Sequence, residues 1–442
     1  MGRLLHNRIL SVVRGNGLRS QLIRSGLSVG GMKMLSLLAG LVTSIILARF
    51  LGPTSFGQYS FIMSLIMVLC LPLDQGMRQL ITRETAKYQH EGNWSLLRGL
   101  FRSTQLWILF GILVIFSVVS VAAVVNADWR LDDRWTLLLL VLPAIPLFAY
   151  SAHRSAGLRG LGFVVQAQVP ELLVGPLSLL LIFIALSLLN MLSTATALMT
   201  QVAAGLTGLI FANWLYKRNW PKNAQKCQPV YRHRDWLMAW IPFTLLTAAS
   251  LLNTQIGILL LGWLGTNNEV AALRVADQGA RVVSISLTIV NMVISPQITR
   301  AYHDGNMDRL QKLSRQSARA ALMFALPVAL PMIFFGDEVI SLLFGGAYSE
   351  LTVAPLAVLA AAQLFNVAFG PVGMFLVMSG FERDTLKGQV IALCVNAILA
   401  ILLVPRLGAE GAAYASAAGI ITWNLLLGIK FVQRLNLRPS AL

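Results

Sequence analysis

The sequence predicts an all-α polytopic membrane protein with about twelve transmembrane helices, arranged as two parallel six-helix repeats around a central cavity. Three observations lead to this prediction. The 442 residues are 56% hydrophobic and only 12% charged, apolar runs long enough to cross a bilayer recur from Gly26 onward, and short matches repeat between the two halves at a nearly constant offset. This composition excludes a soluble enzyme with a single anchor and a secreted domain held by disulfides.

Windows of about twenty apolar residues locate the individual spans. The first six are expected near residues 28–49, 56–77, 104–126, 135–152, 163–187 and 193–215. The second six are expected near residues 238–263, 270–295, 319–345, 351–379, 386–405 and 411–432. The predicted organisation is therefore a basic lead (1–27), an N-terminal lobe (28–215), a basic linker (216–237) and a C-terminal lobe with a short tail (238–442).

Loop charges alternate along the chain, as they should if this count is right. The basic loops contain Arg3, Arg8, Arg14, Arg19 and Arg24, then Arg83, Lys87 and Arg98, then Arg154 and Arg159, then the linker, then Arg300 to Arg319, and finally Lys430, Arg434 and Arg438. The other loops are nearly uncharged, mixed (Asp128 to Arg134) or acidic (Asp337, Glu338). The positive-inside rule therefore places both termini in the cytoplasm, and a bacterial inner membrane is expected.

The net charge of +17 would suggest a nucleic-acid partner in a soluble protein. Orientation in the membrane accounts for most of it, so no nucleic acid is expected. The basic lead lacks the uninterrupted apolar core of a cleavable signal peptide, and an organellar transit peptide is the alternative to a retained tail.

Three short matches support a duplication. In the first match, Leu51 and Leu264 end similar segments at an offset of 213 residues. In the second, Ile81-Thr82-Arg83 matches Ile298-Thr299-Arg300. In the third, His90-Glu91-Gly92-Asn93 is similar to His303-Asp304-Gly305-Asn306. Since six spans is an even number, both copies have the same orientation in the membrane. Transporters built this way bind substrate between their halves.

The sequence motifs of nucleotide-driven exporters, zinc proteases and serine hydrolases are absent from this sequence. There is no Gly-rich phosphate loop, no HExxH and no GxSxG, and Cys70, Cys227 and Cys394 have no paired spacing. We therefore expect a secondary transporter rather than an enzyme, without cofactor or metal. The energy must come from an ion gradient, with a proton or sodium as coupling ion, or from the gradient of the substrate itself.

The eighth span contains a polar stripe along one helical face. Arg274, Asp277, Gln278 and Arg281 lie three or four residues apart, and Ser284, Thr288, Asn291 and Ser295 continue the stripe. Charges at membrane depth are costly unless they pair or face water, and they are therefore functional candidates. The alternative is an ion cluster that only packs helices together. Because Arg274 and Arg281 are two cations and Asp277 is one acid, one cation is left without a partner.

Other charged residues are candidates in the first, second and fifth spans. Asp74 and Arg78 belong to an Asp-Gln-Gly-x-Arg string that recurs at 277–281, and Arg78 is alternatively an interfacial anchor. Lys33 lies inside the first span, with snorkelling to the surface as its alternative. Glu171 follows Pro170, which removes a backbone donor and can expose the acid to water or a proton. It is the first candidate for ion coupling, unless it only pairs with Arg159 or Arg154.

Three motifs make the chain resemble the polysaccharide exporter and O-antigen flippase branch of the multidrug/oligosaccharidyl-lipid/polysaccharide flippase superfamily. They are Leu47-Ala48-Arg49-Phe50-Leu51-Gly52-Pro53 with Phe56-Gly57-x-Tyr59, Arg159-Gly160-x-Gly162 running to Pro170-Glu171-Leu172-Leu173, and Val404-Pro405-Arg406-x-Gly408-Ala409-Glu410-Gly411. The resemblance implies translocation of an undecaprenyl-pyrophosphate-linked oligosaccharide, such as an O-antigen of lipopolysaccharide, capsule or exopolysaccharide repeat unit, from the inner to the outer leaflet. Membrane lipids, a polysaccharide polymerase and a chain-length regulator are the implied partners.

Under this interpretation, Lys33, Arg78, Arg274, Gln278 and Arg281 bind substrate, while Glu171, Asp74 and Asp277 are the ion-coupling candidates. A cation-coupled multidrug antiporter of the same superfamily is the nearest alternative. It would need an acid in the first or seventh span, and neither has one. A membrane glycosyltransferase or polymerase would need a sizeable outer loop with catalytic residues, and a purely structural scaffold would have little reason to retain charges inside its spans.

Overall fold

A computed structural model of the chain describes residues 18–125 and 133–437. All regular structure in these two ranges is helical, with no β-strand. Ten helical stretches there are long and apolar enough to cross a membrane. This confirms the predicted fold class. The N-terminal arginines up to Arg14, the acids Asp128 and Asp132, and Arg438 lie outside the described residues.

The N-terminal lobe contains six membrane crossings. One long helix, Leu18–Cys70, turns at Gly52 and supplies span 1 and the first part of span 2. The remaining helices are Gln75–His90 (the rest of span 2), Trp94–Val125 (span 3), Asp133–Val141 with Ala144–Gly160 (span 4), Val164–Val169 with Gly175–Leu188 (span 5) and Thr194–Asn219 (span 6).

The C-terminal lobe repeats this order after a short linker helix, Lys222–Lys226. Its helices are His233–Leu264 (span 7), Asn267–His303 (span 8), Met307–Phe334 (span 9), Gly336–Leu343, Ser349–Phe369 with Val372–Met378 (span 10) and Glu382–Leu435. The last helix turns at Gly408 and supplies spans 11 and 12.

Two glycines allow the long helices to double back. Gly52 has φ 73° and Gly408 has φ 53°, values that strain any residue with a Cβ atom. A continuous helix of 53 residues would be about 80 Å long, far more than the hydrocarbon core of a bilayer. At Gly411, an added Cβ would lie 2.5 Å from the Leu403 carbonyl oxygen, so the chain has folded onto itself. The first and the last of the ten apolar stretches each cross twice, so the ten stretches give twelve crossings.

Several helices extend beyond the apolar windows that predicted them. Span 2 continues to His90, and span 3 already begins at Trp94. Span 9 runs from Met307 to Phe334, whereas residues 319–345 were expected, so that prediction is wrong by about three turns at its start. The added turns of these helices are polar and amphipathic, so a hydropathy window does not register them.

The linker is held against the N-terminal lobe at one end of the molecule. Arg98 donates from Nη1 to the carbonyl oxygens of Gln225 (2.7 Å) and Cys227 (2.6 Å). The Val230 N–H donates to the Ser95 carbonyl at 3.1 Å. We call this the linker end, and the opposite end, where the chain turns at Gly52, the Gly52 end.

Candidate functional site

A cluster of charged side chains lies inside the N-terminal lobe. Arg78 donates to Asp74 Oδ1 from Nε (3.1 Å) and Nη2 (2.5 Å), and to Glu171 Oε2 from Nη1. The side chains of Asp74, Arg78 and Glu171 are only 17–23% exposed. We call these three residues the N-lobe ion cluster. Arg78 is therefore half-buried and paired with two acids inside the N-terminal lobe.

Proline explains how these side chains meet. Pro72 lies in a turn at residues 71–74 that interrupts span 2, and Asp74 directly precedes the helix that resumes at Gln75. Pro170 begins a π-helical turn, Pro170–Val174, in which the Gly175 N–H donates to the Pro170 carbonyl. Such π-turns frequently mark functional sites. Pro170 therefore interrupts the regular α-helix beside Glu171.

Arg159 adds a second cation to this region. It lies within Coulombic range of Asp74, Arg78 and Glu171, and its Nε is buried without a hydrogen-bond partner. Glu171 Oε1 is also buried and unpartnered, while its other oxygen accepts from Arg78. The direct partner of Glu171 is thus Arg78, not Arg159 or Arg154. Two acids and two arginines make the region electrically balanced.

The N-lobe ion cluster lines a cavity of about 540 Å³, which we call the N-lobe cavity. Its other polar lining residues are neutral and come from spans 1, 2, 4 and 6: Ser36, Thr43, Gln75, Ser151 and Gln201. Gln201 Nε2 donates to the Tyr59 hydroxyl at 2.5 Å. Small residues, among them Gly40, Gly205 and Gly208, provide the space.

A second charged pair lies in span 8. Arg281 donates to Asp277 Oδ2 from Nε (2.9 Å), and its Nη2 lies 2.8 Å from the same oxygen. The Arg281 side chain remains 46% exposed. Arg274 lies one turn away, and within the described ranges its guanidinium has neither a hydrogen bond nor an ion pair shorter than 4.0 Å. Arg274, Asp277 and Arg281 together therefore carry one net positive charge.

Asp277 and Arg281 line a cavity of about 250 Å³ in the C-terminal lobe, which we call the C-lobe cavity. Its other polar lining residues are Asn253, Thr254, Gln363 and Ser416, from spans 7, 10 and 12. The two cavities share no lining residue. The Tyr59 hydroxyl accepts from Gln201 of the N-lobe cavity, and this side chain lies near Arg274, which lines neither cavity.

The structure divides the predicted site residues between these two places. Asp74, Arg78 and Glu171 meet in the N-terminal lobe, whereas Asp277 and Arg281 meet in the C-terminal lobe. Three other candidates line neither cavity: Lys33, Arg274 and Gln278. Lys33 is exposed in the first half of span 1, and Arg274 and Gln278 are half-buried on span 8.

Sequence reasoning missed the neutral polar residues of both cavities. Gln201, Asn253 and Gln363 are amides within mostly apolar spans, and a hydropathy window tolerates a few such residues. The only available signal was their position inside a span, where amides are used for contacts between helices.

At the Gly52 end the two lobes are sealed against each other. Thr54 Oγ1 donates to Asn268 Oδ1 at 2.9 Å. A Cβ atom at Gly57 would clash with the Asn267 carbonyl oxygen, so only glycine permits this approach of span 2 to span 8. We call these two contacts, together with the hydrogen bonds of Arg134, Tyr348 and Arg49 given below, the Gly52-end seal.

Further hydrogen bonds reinforce the seal. Arg134 Nη1 donates to the Gly262 carbonyl at 2.7 Å, and the Tyr348 hydroxyl donates to the Ala48 carbonyl at 2.7 Å. Arg49 Nε donates to the Leu343 carbonyl at 2.9 Å. Arg49 and Gly57, which belong to the first of the three motifs named above, therefore take part in the contact between the lobes.

Comparison with known proteins places the chain among related membrane proteins. The family model described as "Polysaccharide biosynthesis protein" matches residues 22–302, more than half of the chain. The chain is 21% identical over 382 residues to the capsular polysaccharide biosynthesis protein CapF of Staphylococcus aureus, covering 86% of this chain and 91% of that protein. The resemblance inferred from the motifs is confirmed.

A second relative matches over a shorter stretch. The probable lipid II flippase MurJ of Rhizobium meliloti (strain 1021) is 30% identical over 192 residues, which are 41% of this chain and 35% of that protein. Among solved structures, the inward-facing conformation of a multidrug resistance MATE family transporter of the MOP superfamily superposes with a TM-score of 0.75 at 14% identity, covering 93% of this chain and 98% of that one. That likeness establishes the fold.

Proposed function

The chain belongs to the polysaccharide biosynthesis protein family, and we propose that it translocates an undecaprenyl-pyrophosphate-linked oligosaccharide from the inner to the outer leaflet by alternating access. The family and the named relatives support a flippase for lipid-linked glycans, a transporter rather than an enzyme. The cargo is proposed to be an O-antigen, capsule or exopolysaccharide repeat unit. A polysaccharide polymerase and a chain-length regulator would act on it afterwards.

The observation that carries the proposal is the cationic group in span 8. Arg274 and Arg281 outnumber Asp277, and Arg281 lines a cavity while nearly half of its side chain stays exposed. A guanidinium fork can donate paired hydrogen bonds to the oxygens of a pyrophosphate. A net cationic site between apolar walls also attracts an anion. Gln278 and Lys33 are proposed to contact the substrate as it enters or leaves.

The multidrug antiporter is the second candidate, because a MATE transporter shares the fold. An organic cation needs an acid that is free to receive it. In the described ranges, however, Asp74 and Glu171 are paired with Arg78, and Asp277 with Arg281. The charge distribution therefore favours an anionic cargo.

Deleting the gene tests the proposal directly. The deletion is expected to remove the surface glycan and to leave the lipid-linked repeat unit accumulating on the cytoplasmic leaflet, with recovery on re-expression. An antiporter would instead change the efflux of a cationic dye such as ethidium. Unchanged glycan together with reduced dye efflux would replace the flippase proposal with the antiporter.

We propose that both termini and the linker are cytoplasmic and that the membrane is the bacterial inner membrane. The linker end contains Arg83, Arg98 and the basic residues 217–234, whereas the Gly52 end contains Asp337 and Glu338. A cysteine at Asn223, exposed in the linker, should resist an impermeant maleimide in intact cells. A cysteine at Asn190, exposed at the Gly52 end, should react. The reverse labelling pattern would invert the orientation.

We propose that Glu171, ahead of Asp74 and Asp277, couples transport to a proton or sodium gradient. A bound proton or ion would remove the charge that holds Arg78, and the N-lobe ion cluster would rearrange. Glu171→Gln keeps the shape and removes the titrating group. It should abolish the dependence of vesicle transport on an imposed pH or sodium gradient, while Glu350→Gln, an acid outside both cavities, leaves that dependence intact. Gradient-driven transport by Glu171→Gln at the parent rate would exclude Glu171 as the coupling group.

A further inference from the structure

The N-lobe cavity has a different chemical character from the cationic group in span 8. Its acids, Asp74 and Glu171, are paired with Arg78, and Arg159 balances the remaining charge. The rest of the polar lining consists of hydroxyls and amides. An anion gains little attraction from a balanced site, and a hydrocarbon chain would leave these polar groups without partners. The lining suits a neutral ligand with many hydroxyl groups.

Unpartnered atoms in the cavity wall indicate where such a ligand would bind. Thr43 lines the cavity and is only 6% exposed, yet its Oγ1 has no hydrogen-bond partner. Glu171 Oε1 is likewise buried and unpartnered. A buried hydroxyl without a partner is destabilising, so a group that bonds to it from the cavity would be stabilised there. A sugar hydroxyl can donate to the carboxylate and exchange a hydrogen bond with the threonine.

The cavity also has space and an aromatic wall. A Cβ atom at Gly40 would have no neighbour within 4 Å, so this part of the wall faces open space. The ring of Phe148 lies against Gly205, where a Cβ would approach its Cε1 to 3.0 Å. The ring is thereby fixed in the cavity wall. The volume of about 540 Å³ lies in the range of small-molecule sites.

Tyr59 places this cavity beside the cationic group. Its hydroxyl accepts from Gln201, a cavity residue, and the same ring lies within Coulombic range of Arg274. A ligand bound at Gln201 would therefore lie near Arg274, with the Tyr59 side chain next to both. In a lipid-linked glycan, the first sugar is likewise directly next to the pyrophosphate.

We propose that the N-lobe cavity binds a neutral sugar of the lipid-linked glycan through Thr43, Ser151, Gln201 and the free Oε1 of Glu171, while Arg274 and Arg281 hold the pyrophosphate. The proposal rests on the proposed function and deepens it, because it assigns the two chemical parts of the cargo to different lobes. Thr43 and Gln201 would then determine which sugar is accepted.

The test uses the purified full-length protein in nanodiscs and two separate probes. One probe is the phosphate-free oligosaccharide released by mild acid from the lipid carrier of the host, and the other is inorganic pyrophosphate. Binding of the oligosaccharide is measured as protection of Ser36→Cys, in the cavity wall, from N-ethylmaleimide. We expect Thr43→Val to weaken this protection about tenfold, the loss of one hydrogen bond of about 1.4 kcal/mol, without affecting pyrophosphate binding.

Thr200→Val is the matched control, because the Thr200 hydroxyl is buried in span 6 and donates to the Thr196 carbonyl at 2.8 Å, away from the cavity. It should bind both probes like the parent. No protection by millimolar oligosaccharide, or equal protection in Thr43→Val and the parent, would overturn the assignment of the sugar site. Failure of the proposed function has a different signature: the parent would bind no pyrophosphate, whatever the oligosaccharide does.

Discussion

Arg281→Ala is expected to abolish surface glycan while the protein remains folded and inserted. Arg281 is half-exposed in the C-lobe cavity, and Asp277 is the only hydrogen-bonded partner of its side chain among the described residues. Charged hydrogen bonds contribute about 1.5 to 3 kcal/mol each. Losing one fork should therefore weaken pyrophosphate binding by about ten- to a hundredfold or more. Arg281→Lys should retain partial function, since lysine supplies charge without the fork, and Arg281→Glu should be worse than alanine.

The Arg434–Asp384 pair provides a matched control. Arg434 bonds to Asp384 at 2.8 Å and is 49% exposed, similar to Arg281, but it lines neither cavity. Arg434→Ala should leave export near the parent level. If Arg281 only neutralises Asp277, the double change Arg281→Ala with Asp277→Ala should restore protein abundance and export. Restored export in that double variant would contradict a role of Arg281 in substrate binding.

A disulfide across the Gly52-end seal is expected to stop transport completely and reversibly. Alternating access requires the seal to open, and Thr54 and Asn268 make a side-chain contact of 2.9 Å between the two lobes. In a background without Cys70, Cys227 and Cys394, the pair Thr54→Cys with Asn268→Cys should cross-link under mild oxidation. Glycan transport should stop after oxidation and return after reduction.

Each single cysteine variant controls for the loss of the original side chain and should transport before and after oxidation. Mass spectrometry of the linked peptides establishes the extent of cross-linking. Transport at the parent rate by fully cross-linked protein would show that the lobes need not separate at this end.

Much of the fold could be predicted from the sequence because each span is a local property. Apolar windows found the spans, including the break between residues 405 and 411, where the chain turns at Gly408 between spans 11 and 12. The limits of span 9 were wrong because its first turns are basic and amphipathic, which lowers the hydropathy of that segment. Membrane insertion is set by hydropathy, whereas helix length also depends on contacts beyond the membrane.

The candidate site was only partly predictable. The Asp277–Arg281 pair follows from helical spacing alone, since residues four apart share a face. The contact between Arg78 and Glu171 joins residues 93 positions apart and depends on how spans 2 and 5 pack. The partner of Tyr59 is Gln201, 142 positions away in the sequence, and a position inside a span does not indicate which residue it contacts. Long-range pairs of this kind become visible only in the folded molecule.

Reconstituted transport tests the central claim most directly. Purified protein is incorporated into liposomes that contain the undecaprenyl-pyrophosphate-linked repeat unit, labelled in its glycan, and an impermeant glycosidase is added outside. Without transport, only the lipid in the outer leaflet is cleaved. We expect the parent protein to render nearly all of the lipid cleavable and Arg281→Ala to leave the inner-leaflet half protected. Equal protection in parent liposomes and protein-free liposomes would contradict the assignment of this chain as a lipid-linked glycan flippase.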